Sequence, residues 1–202
     1  MKVKVNQTKS FSLNVHKKGI RALGISESFI KNVSKNSILA GVVMRADMIV
    51  DGFTFSKVKV GGIDATQKII TMYKTLRRDD INILLLNGCI ISWYNVIDLH
   101  KIADVTGLPL ISVTYRESKG LETYIKENFP DDWHHRIEVY HKNGPRKLLR
   151  LKTNHIIYTR FLKLKENEAL ALLNKFTLNG AVPEPLRLAR LLARSIMRKN
   201  YM

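Results

Sequence analysis

The run Ile81-Asn82-Ile83-Leu84-Leu85-Leu86 constrains this chain more than any other segment of its length. A strand with one face in water alternates apolar and polar residues, whereas a nearly unbroken apolar run belongs to a strand covered on both faces. The segment that follows supplies a partner for it. A helix is predicted from about Asn95 to Val105 and Gly107 ends it, after which Leu108-Pro109-Leu110-Ile111-Ser112-Val113 reads as a second buried strand. A strand, a helix and a strand of these lengths make a right-handed parallel crossover the expected connection.

The flanking segments extend this unit on both sides. Ile20 to Ile25 reads as a first core strand ended by Ser26-Glu27-Ser28, and Ile38 to Arg45 as a second. Asp47 to Gly52 and Phe53 to Val60 continue an antiparallel meander, with Asp51-Gly52 as its expected turn. Gly61-Gly62-Ile63-Asp64 then leads into a helix with Ile69, Met72, Tyr73 and Leu76 at helical spacing, and Asp64 with Gln67 resembles a capping box. Downstream, Leu121 to Asn128 is predicted helical and stopped by Pro130. Arg136 to Lys142 and Lys147 to Leu164 are predicted as strands around an Asn143-Gly144 turn. Helices from Glu166 to Leu178 and from Glu184 to Lys199 close the chain, with Pro183 and Pro185 at the start of the last. The expected architecture is one α/β domain over residues 19–202, a mixed sheet flanked by helices. Residues 1–18, with Lys2, Lys4, Lys9, Lys17 and Lys18, are expected as a basic arm or an edge strand.

Charge narrows the partner. Against 34 Lys and Arg stand 17 Asp and Glu, a net charge of +17, which points toward a polyanion. The longest uncharged stretch, Ile81 to Ile97, falls short of the roughly 20 residues that a membrane-spanning helix needs. DNA or RNA is therefore the expected partner rather than a membrane. One cysteine, Cys89, excludes an internal disulfide and a cysteine-based zinc cluster, and it fits a reducing compartment. No apolar run at the start resembles a signal peptide, so the expected location is the cytoplasm. At 100° per residue Arg187, Arg190, Arg194 and Arg198 fall within about 80° of one another on the last helix. They form either a solvated basic face or one that tracks phosphates, and the overall charge favours the second. Arg146, Lys147, Arg150 and Lys152 make a second basic cluster.

Three segments together carry a family resemblance: Leu23-Gly24-Ile25-Ser26-Glu27-Ser28-Phe29, the stretch from Ile83-Leu84-Leu85-Leu86-Asn87-Gly88 to Ile111-Ser112-Val113, and Pro183-Glu184-Pro185-Leu186-Arg187-Leu188-Ala189. In this order they resemble an archaeal family of uncharacterised proteins (domain of unknown function number ninety-nine), itself distantly similar to endonuclease V. The resemblance implies a ribonuclease-H-like fold and cleavage of phosphodiesters next to deaminated purines, with Mg²⁺ or Mn²⁺ as cofactor. In the nuclease the first strand ends in a metal-binding Asp, a Glu sits near the start of the following helix, and the central strand ends in Asp-Gly. Matched by motif, those catalytic positions are Ser26, Asp64 and Asn87, and Asp64, the one carboxylate of the three, is the candidate metal ligand. Mg²⁺ takes oxygen ligands, commonly including carboxylates, so the loss of two acidic residues bears directly on the chemistry. Glu27, Asp98 and Glu184 are candidate replacements. Two functions stay open: a metal-dependent nuclease with an altered site, or a non-catalytic module on the same fold that binds nucleic acid or protein.

Several positions also have plain structural readings. Asp64 serves as a helix cap as readily as a ligand, Asn87-Gly88 as a turn, and Gly61-Gly62 as a tight turn rather than a phosphate cradle. Asp131-Asp132-Trp133-His134-His135 lacks a third ligand at metal spacing and is expected to be an exposed polar corner.

Overall fold

Seven strands hydrogen-bond into one mixed sheet in the computed structural model, which describes residues 15, 17–117 and 120–199. The expected basic arm lies almost wholly outside the described residues. In chain order the elements are β1 (Arg21–Ser28), β2 (Asn36–Arg45), β3 (Val50–Lys59), α1 (Ala65–Leu76), β4 (Ile83–Leu86), β5 (Ile90–Ile91), β6 (Asn95–Val96) and α2 (Leu99–Thr106). They continue with β7 (Leu110–Thr114), α3 (Leu121–Asn128), α4 (Trp133–Lys142), β8 (Lys147–Arg150), β9 (Ile156–Leu162), α5 (Glu166–Phe176) and α6 (Glu184–Lys199). The sheet runs β3-β2-β1-β4-β7-β9-β8, while β5 and β6 pair separately as a short hairpin. β4 is parallel to both β1 and β7, and the remaining sheet pairings are antiparallel. The domain is α/β, as expected.

The apolar run at 83–86 earns its central place by burial on both sides. Leu84 and Leu86 pack with Ile69 and Ile70 of α1 and with Leu99 and Ile102 of α2. Ile83 and Leu85 pack with Leu172, Leu173 and Phe176 of α5. Each such side chain contributes about 1.5–3 kcal/mol by leaving water. α6 covers β1 and β2: Ile38 and Ala40 meet Ala193 and Met197. Its approach is close, since a Cβ on Gly24 would lie 2.5 Å from Pro185 Cβ and 2.6 Å from the Pro185 carbonyl carbon.

Several local expectations are corrected. β1 continues through Ser26-Glu27-Ser28 instead of ending there. The turn between β2 and β3 falls at 46–49, and Asp51-Gly52 lies inside β3, beside a register shift at Val43/Met44. α2 begins at Leu99, because Asn95 and Val96 are consumed by β6 and Asp98 caps the helix by accepting from Lys101 N–H. Residues 133–142 form α4, not a strand, and Asn143-Gly144 follows that helix rather than joining two strands. Residues 147–164 divide into β8 and β9, which pair as a hairpin.

Candidate nucleic-acid interface

The carboxyl ends of β4 and β7 open into a cavity of about 680 Å³. This is the carboxyl edge of the parallel strands, where open α/β sheets place their ligands. Asn87, the first residue after β4, lines the cavity, and its backbone N–H donates to Ile25 O on β1 at 3.1 Å. Tyr115, Arg116 and Glu117 enter from the end of β7, Arg146 and Arg160 from the β8–β9 side, and Arg190 from α6. Four guanidinium groups against one carboxylate make the wall strongly cationic.

Arg160 is the most constrained of these cations, at 8% exposed. Its Nε donates to Gly144 O at 2.7 Å and its Nη1 to Cys89 Sγ at 3.3 Å, and the group lies 4.8 Å from the centre of the Tyr140 ring. Burial pushes the Cys89 thiol up, against the opposing pull of Arg160, so at neutral pH the sulfur is a neutral acceptor. The Tyr115 hydroxyl is buried and has no hydrogen-bond partner among the described residues. Burial also raises its pKa, with Arg190 pulling the other way, so it stays a phenol able to donate.

α6 presents its arginines outward because Leu186, Ala189, Ala193 and Met197 form the buried stripe. Arg187, Arg190, Arg194 and Arg198 are all exposed. They are not equivalent. Arg187 pairs with the largely buried Glu184 at 2.6 Å, and that hydrogen bond raises its pKa. Arg190, Arg194 and Arg198 have no carboxylate partner among the described residues. In the second cluster Arg146 donates to Arg116 O at 3.2 Å, and Lys147 pairs with Glu166 at 3.2 Å.

The three motif-matched positions enter three separate sets of contacts. Ser26 is buried and donates from Oγ to Leu186 O at 2.9 Å, tying β1 to α6. Asp64 accepts from Lys59 N–H at 3.2 Å and from Asn95 Nδ2 at 2.8 Å, and makes no side-chain cap to its own helix. The expected capping box is therefore absent. Asn95 performs the cap instead, its Oδ1 accepting from Ala65 N–H at 3.1 Å. Asn87 alone of the three lines the cavity.

The candidate replacement acids are engaged as well. Glu27 accepts from Ser37 Oγ at 2.5 Å and from Ser92 Oγ at 3.3 Å, while Asp98 pairs with Lys142 at 2.8 Å. Among the described residues no group of three or more His, Cys, Asp or Glu side chains could hold a metal ion. With Asp64 and Glu27 committed to protein donors and Ser26 to a carbonyl, the side chains present do not fit Mg²⁺ or Mn²⁺ held by carboxylates.

Gly61-Gly62 serves as a structural turn. Arg136 of α4, 3% exposed, donates to Gly61 O at 2.8 Å, to Gly62 O at 2.9 Å and to Tyr94 O at 2.8 Å, and pairs with Asp132. That makes the 131–135 segment the entry to a helix whose one buried side chain is a clamp, with His134 and His135 exposed. Arg116, Tyr115, Arg160 and Arg136 carry no signal in the sequence. Tyr115 and Arg116 follow β7, Arg160 lies in β9 and Arg136 in α4, and only the fold brings the first three to one cavity and Arg136 onto the Gly61-Gly62 turn.

The comparisons agree with this architecture. The chain matches the model of the Endonuclease dU family over residues 18–197. A UPF0215 protein of Thermococcus gammatolerans is 32% identical over 184 residues, covering 88% of this chain and 92% of that one. A UPF0215 protein of Pyrobaculum aerophilum is 32% identical over 172 residues, covering 85% and 91%. Among solved structures, a protein of unknown function from Archaeoglobus fulgidus superposes with a TM-score of 0.74 at 26% identity, covering 88% of this chain and 98% of that one. Human endonuclease V superposes with a TM-score of 0.64 at 17% identity, covering 91% and 87%. Ciona intestinalis endonuclease V, solved with a DNA containing inosine, reaches 0.62 at 15% identity, covering 91% and 88%. The domain thus has the fold of endonuclease V, and by its sequence the chain belongs to the Endonuclease dU family.

Proposed function

We propose that this chain binds nucleic acid along the exposed face of α6 and into the cavity at the ends of β4 and β7, with DNA carrying deoxyuridine as its ligand. The observation that carries the reading is the line of Arg190, Arg194 and Arg198, cations without acidic partners among the described residues, leading into a cavity walled by guanidinium groups. Such a line neutralises successive phosphates, and the counterions it releases supply the affinity. The family's name supplies the deoxyuridine, and the crystal complex of the Ciona enzyme supports DNA as the polymer.

Phosphodiester cleavage is the second reading, favoured by the family and by the place of Asn87 at the end of the central strand. It assigns Ser26, Asp64 and Asn87 to the reaction. They bring one carboxylate between them, and that one already accepts from Lys59 and Asn95.

Binding of labelled DNA duplexes, with deoxyuridine or thymidine at one site, and of a matching RNA tests the proposal as salt is varied. The affinity is expected to fall linearly in log–log form, with a slope near −0.9 per phosphate contact. Replacing Arg190 and Arg194 together with Gln flattens that slope by about two units, while Arg187→Gln leaves it nearly unchanged because Arg187 already serves Glu184. No binding at low salt refutes the reading. Equal affinity for deoxyuridine and thymidine removes the base preference, and cutting of the deoxyuridine strand in Mg²⁺ or Mn²⁺ establishes the second reading.

A further inference from the structure

We infer that β3 is a dimer edge, pairing antiparallel with β3 of a second copy of this chain through the outward backbone groups of Phe53, Phe55 and Lys57. The inference is independent of the nucleic-acid reading, because β2 and β1 separate this edge from β4 and the cavity at its end.

β3 pairs with β2 alone, so its other side has no strand partner among the described residues. In an antiparallel ladder alternate residues bond to the neighbouring strand, and those between them point N–H and C=O away from it. Val60 N–H donates to Lys35 O at 3.1 Å, which assigns the even positions from 52 to 60 to β2. The odd positions face outward. At Lys59 those outward groups are already used: the N–H donates to Asp64 at 3.2 Å, and the carbonyl accepts from Asn95 Nδ2 at 3.1 Å and from Gly62 N–H at 3.0 Å. At the other end, beside the register shift, Asp51 O accepts from Arg78 Nη1 at 2.7 Å. Between these two closures the N–H and C=O of Phe53, Phe55 and Lys57 have no hydrogen-bond partner among the described residues.

A window centred on one residue suits a two-fold axis. Antiparallel pairing about that axis sets Phe55 against its own copy and Phe53 against Lys57, and every outward group in the window finds a partner without reaching the closed ends. The side chains agree. Phe53 is 56% exposed and Phe55 48%, while the opposite face of the strand buries Thr54 and Val58. A ten-residue edge that carries exposed apolar residues is a template for another strand, and here the two copies bring their rings to cross-strand distance. Charge selects the same register. It holds the two Lys57 side chains four residues apart along the paired strands, roughly 14 Å, which exceeds the screening length of about 8 Å at physiological salt. It also lays each ammonium beside a Phe53 ring. A peptide from another protein could pair with the backbone, whereas a second copy supplies the matching window by symmetry.

Sedimentation equilibrium of the full chain, over a range of protein concentrations in low and high salt, reads the association. Wild-type protein is expected to pass from monomer to dimer as concentration rises, and more readily in high salt, because two chains of net charge +17 repel each other. Nucleic-acid binding moves the opposite way with salt. Phe55→Pro removes an outward N–H at the axis and spares the ladder to β2, the placement in which edge strands accept proline, and it should abolish the dimer. Phe53→Ser keeps every backbone group and should weaken association at least about tenfold, since a two-fold interface loses the ring twice. Phe55→Cys reads the register directly. The native thiol, Cys89, is 2% exposed, so mild oxidation is expected to join two chains at position 55, while Leu178→Cys, at a position 60% exposed, stays monomeric.

A wild type that sediments as a monomer at every concentration overturns the inference, and so does a dimer that Phe55→Pro leaves intact or that Phe55→Cys fails to cross-link. Should Phe55→Pro fail to fold, the cross-link carries the test. A monomer whose affinity for a single-stranded oligonucleotide falls in Phe53→Ser also overturns it, and makes this face a base-stacking platform instead. Absence of DNA binding in a protein that still dimerises leaves the edge standing and sinks the nucleic-acid reading alone.

Discussion

Replacing Gly24 with Ala tests how α6 is seated on the sheet. The new methyl would sit 2.5 Å from Pro185 Cβ, 2.6 Å from its carbonyl carbon and 2.8 Å from its oxygen. Pro185 lies in the first turn of α6, so most of what the methyl meets is backbone rather than a side chain that can swing aside. Restoring ordinary contact asks the helix start to retreat by about 0.9 Å. Overpacking of this kind costs about 1–3 kcal/mol. The same retreat stretches the 2.9 Å hydrogen bond from Ser26 Oγ to Leu186 O beyond useful length, which adds about 1 kcal/mol. The sum, about 2–4 kcal/mol, corresponds to a fall in melting temperature of about 4–16 °C for a domain of this size. Urea unfolding followed by circular dichroism should show a lower midpoint with an unchanged slope. Gly19→Ala is the control, since a Cβ there meets nothing within 4 Å. Because Arg190 rides on the displaced helix, DNA affinity should fall in parallel. A Gly24→Ala midpoint equal to that of the control would refute the docking of α6 against β1.

Other perturbations address the remaining contacts. Arg136→Lys keeps the charge but cannot span Gly61 O, Gly62 O, Tyr94 O and Asp132 together, so stability should drop by about 3 kcal/mol in denaturant titration. Asp64→Asn keeps an acceptor for Lys59 and Asn95, so folding should survive; if the protein cleaves DNA, loss of cleavage in this variant would mark Asp64 as catalytic, and full cleavage would mark it as structural. Hydrogen bonds from Arg136 hold Asp132, and hydrogen bonds from Arg78 hold Asp80, below the usual carboxylate range. Their contribution is therefore complete above about pH 4 and lost as pH falls through the lower folded values, where the unfolded chain binds more protons. The unfolding midpoint should be level from pH 7 to 5 and decline below about pH 4, with Asp132→Asn giving a shallower decline.

The central crossover was legible because its cause is local. The run at 83–86 is buried on both faces, Gly107 takes a positive φ of 72° where α2 ends, and each sits in consecutive residues. α4 reads as a strand in the sequence because the one residue it buries is Arg136, so no apolar stripe marks its period, and Ile137 and Val139 alternate as strand residues do. The cap of α1 falls to Asn95 rather than Asp64 because Asn95, 30 positions from the N–H it receives, outcompetes the neighbouring acid. The candidate site divides the same way. The arginine face of α6 was readable from helical spacing, whereas Glu184 taking up Arg187, and Arg160 turning inward, depend on packing that spacing does not encode.

The seating of α6 also sets an order of events during synthesis. Ser26 and the carbonyl it holds on Leu186 are 160 residues apart, so at about 5–20 residues per second the ribosome needs about 8–32 s to deliver the second after the first. Throughout that interval the face formed by Ala22, Gly24, Ser26 and Ser28 of β1, beside Met44, Val42, Ala40 and Ile38 of β2, waits uncovered. Five of those eight residues are glycine, alanine or serine, which gives a waiting sheet little for another nascent chain to adhere to. The small residues that let α6 approach closely in the finished domain thus also shield the unfinished one, and a bulkier face would be exposed to mispairing for the same interval.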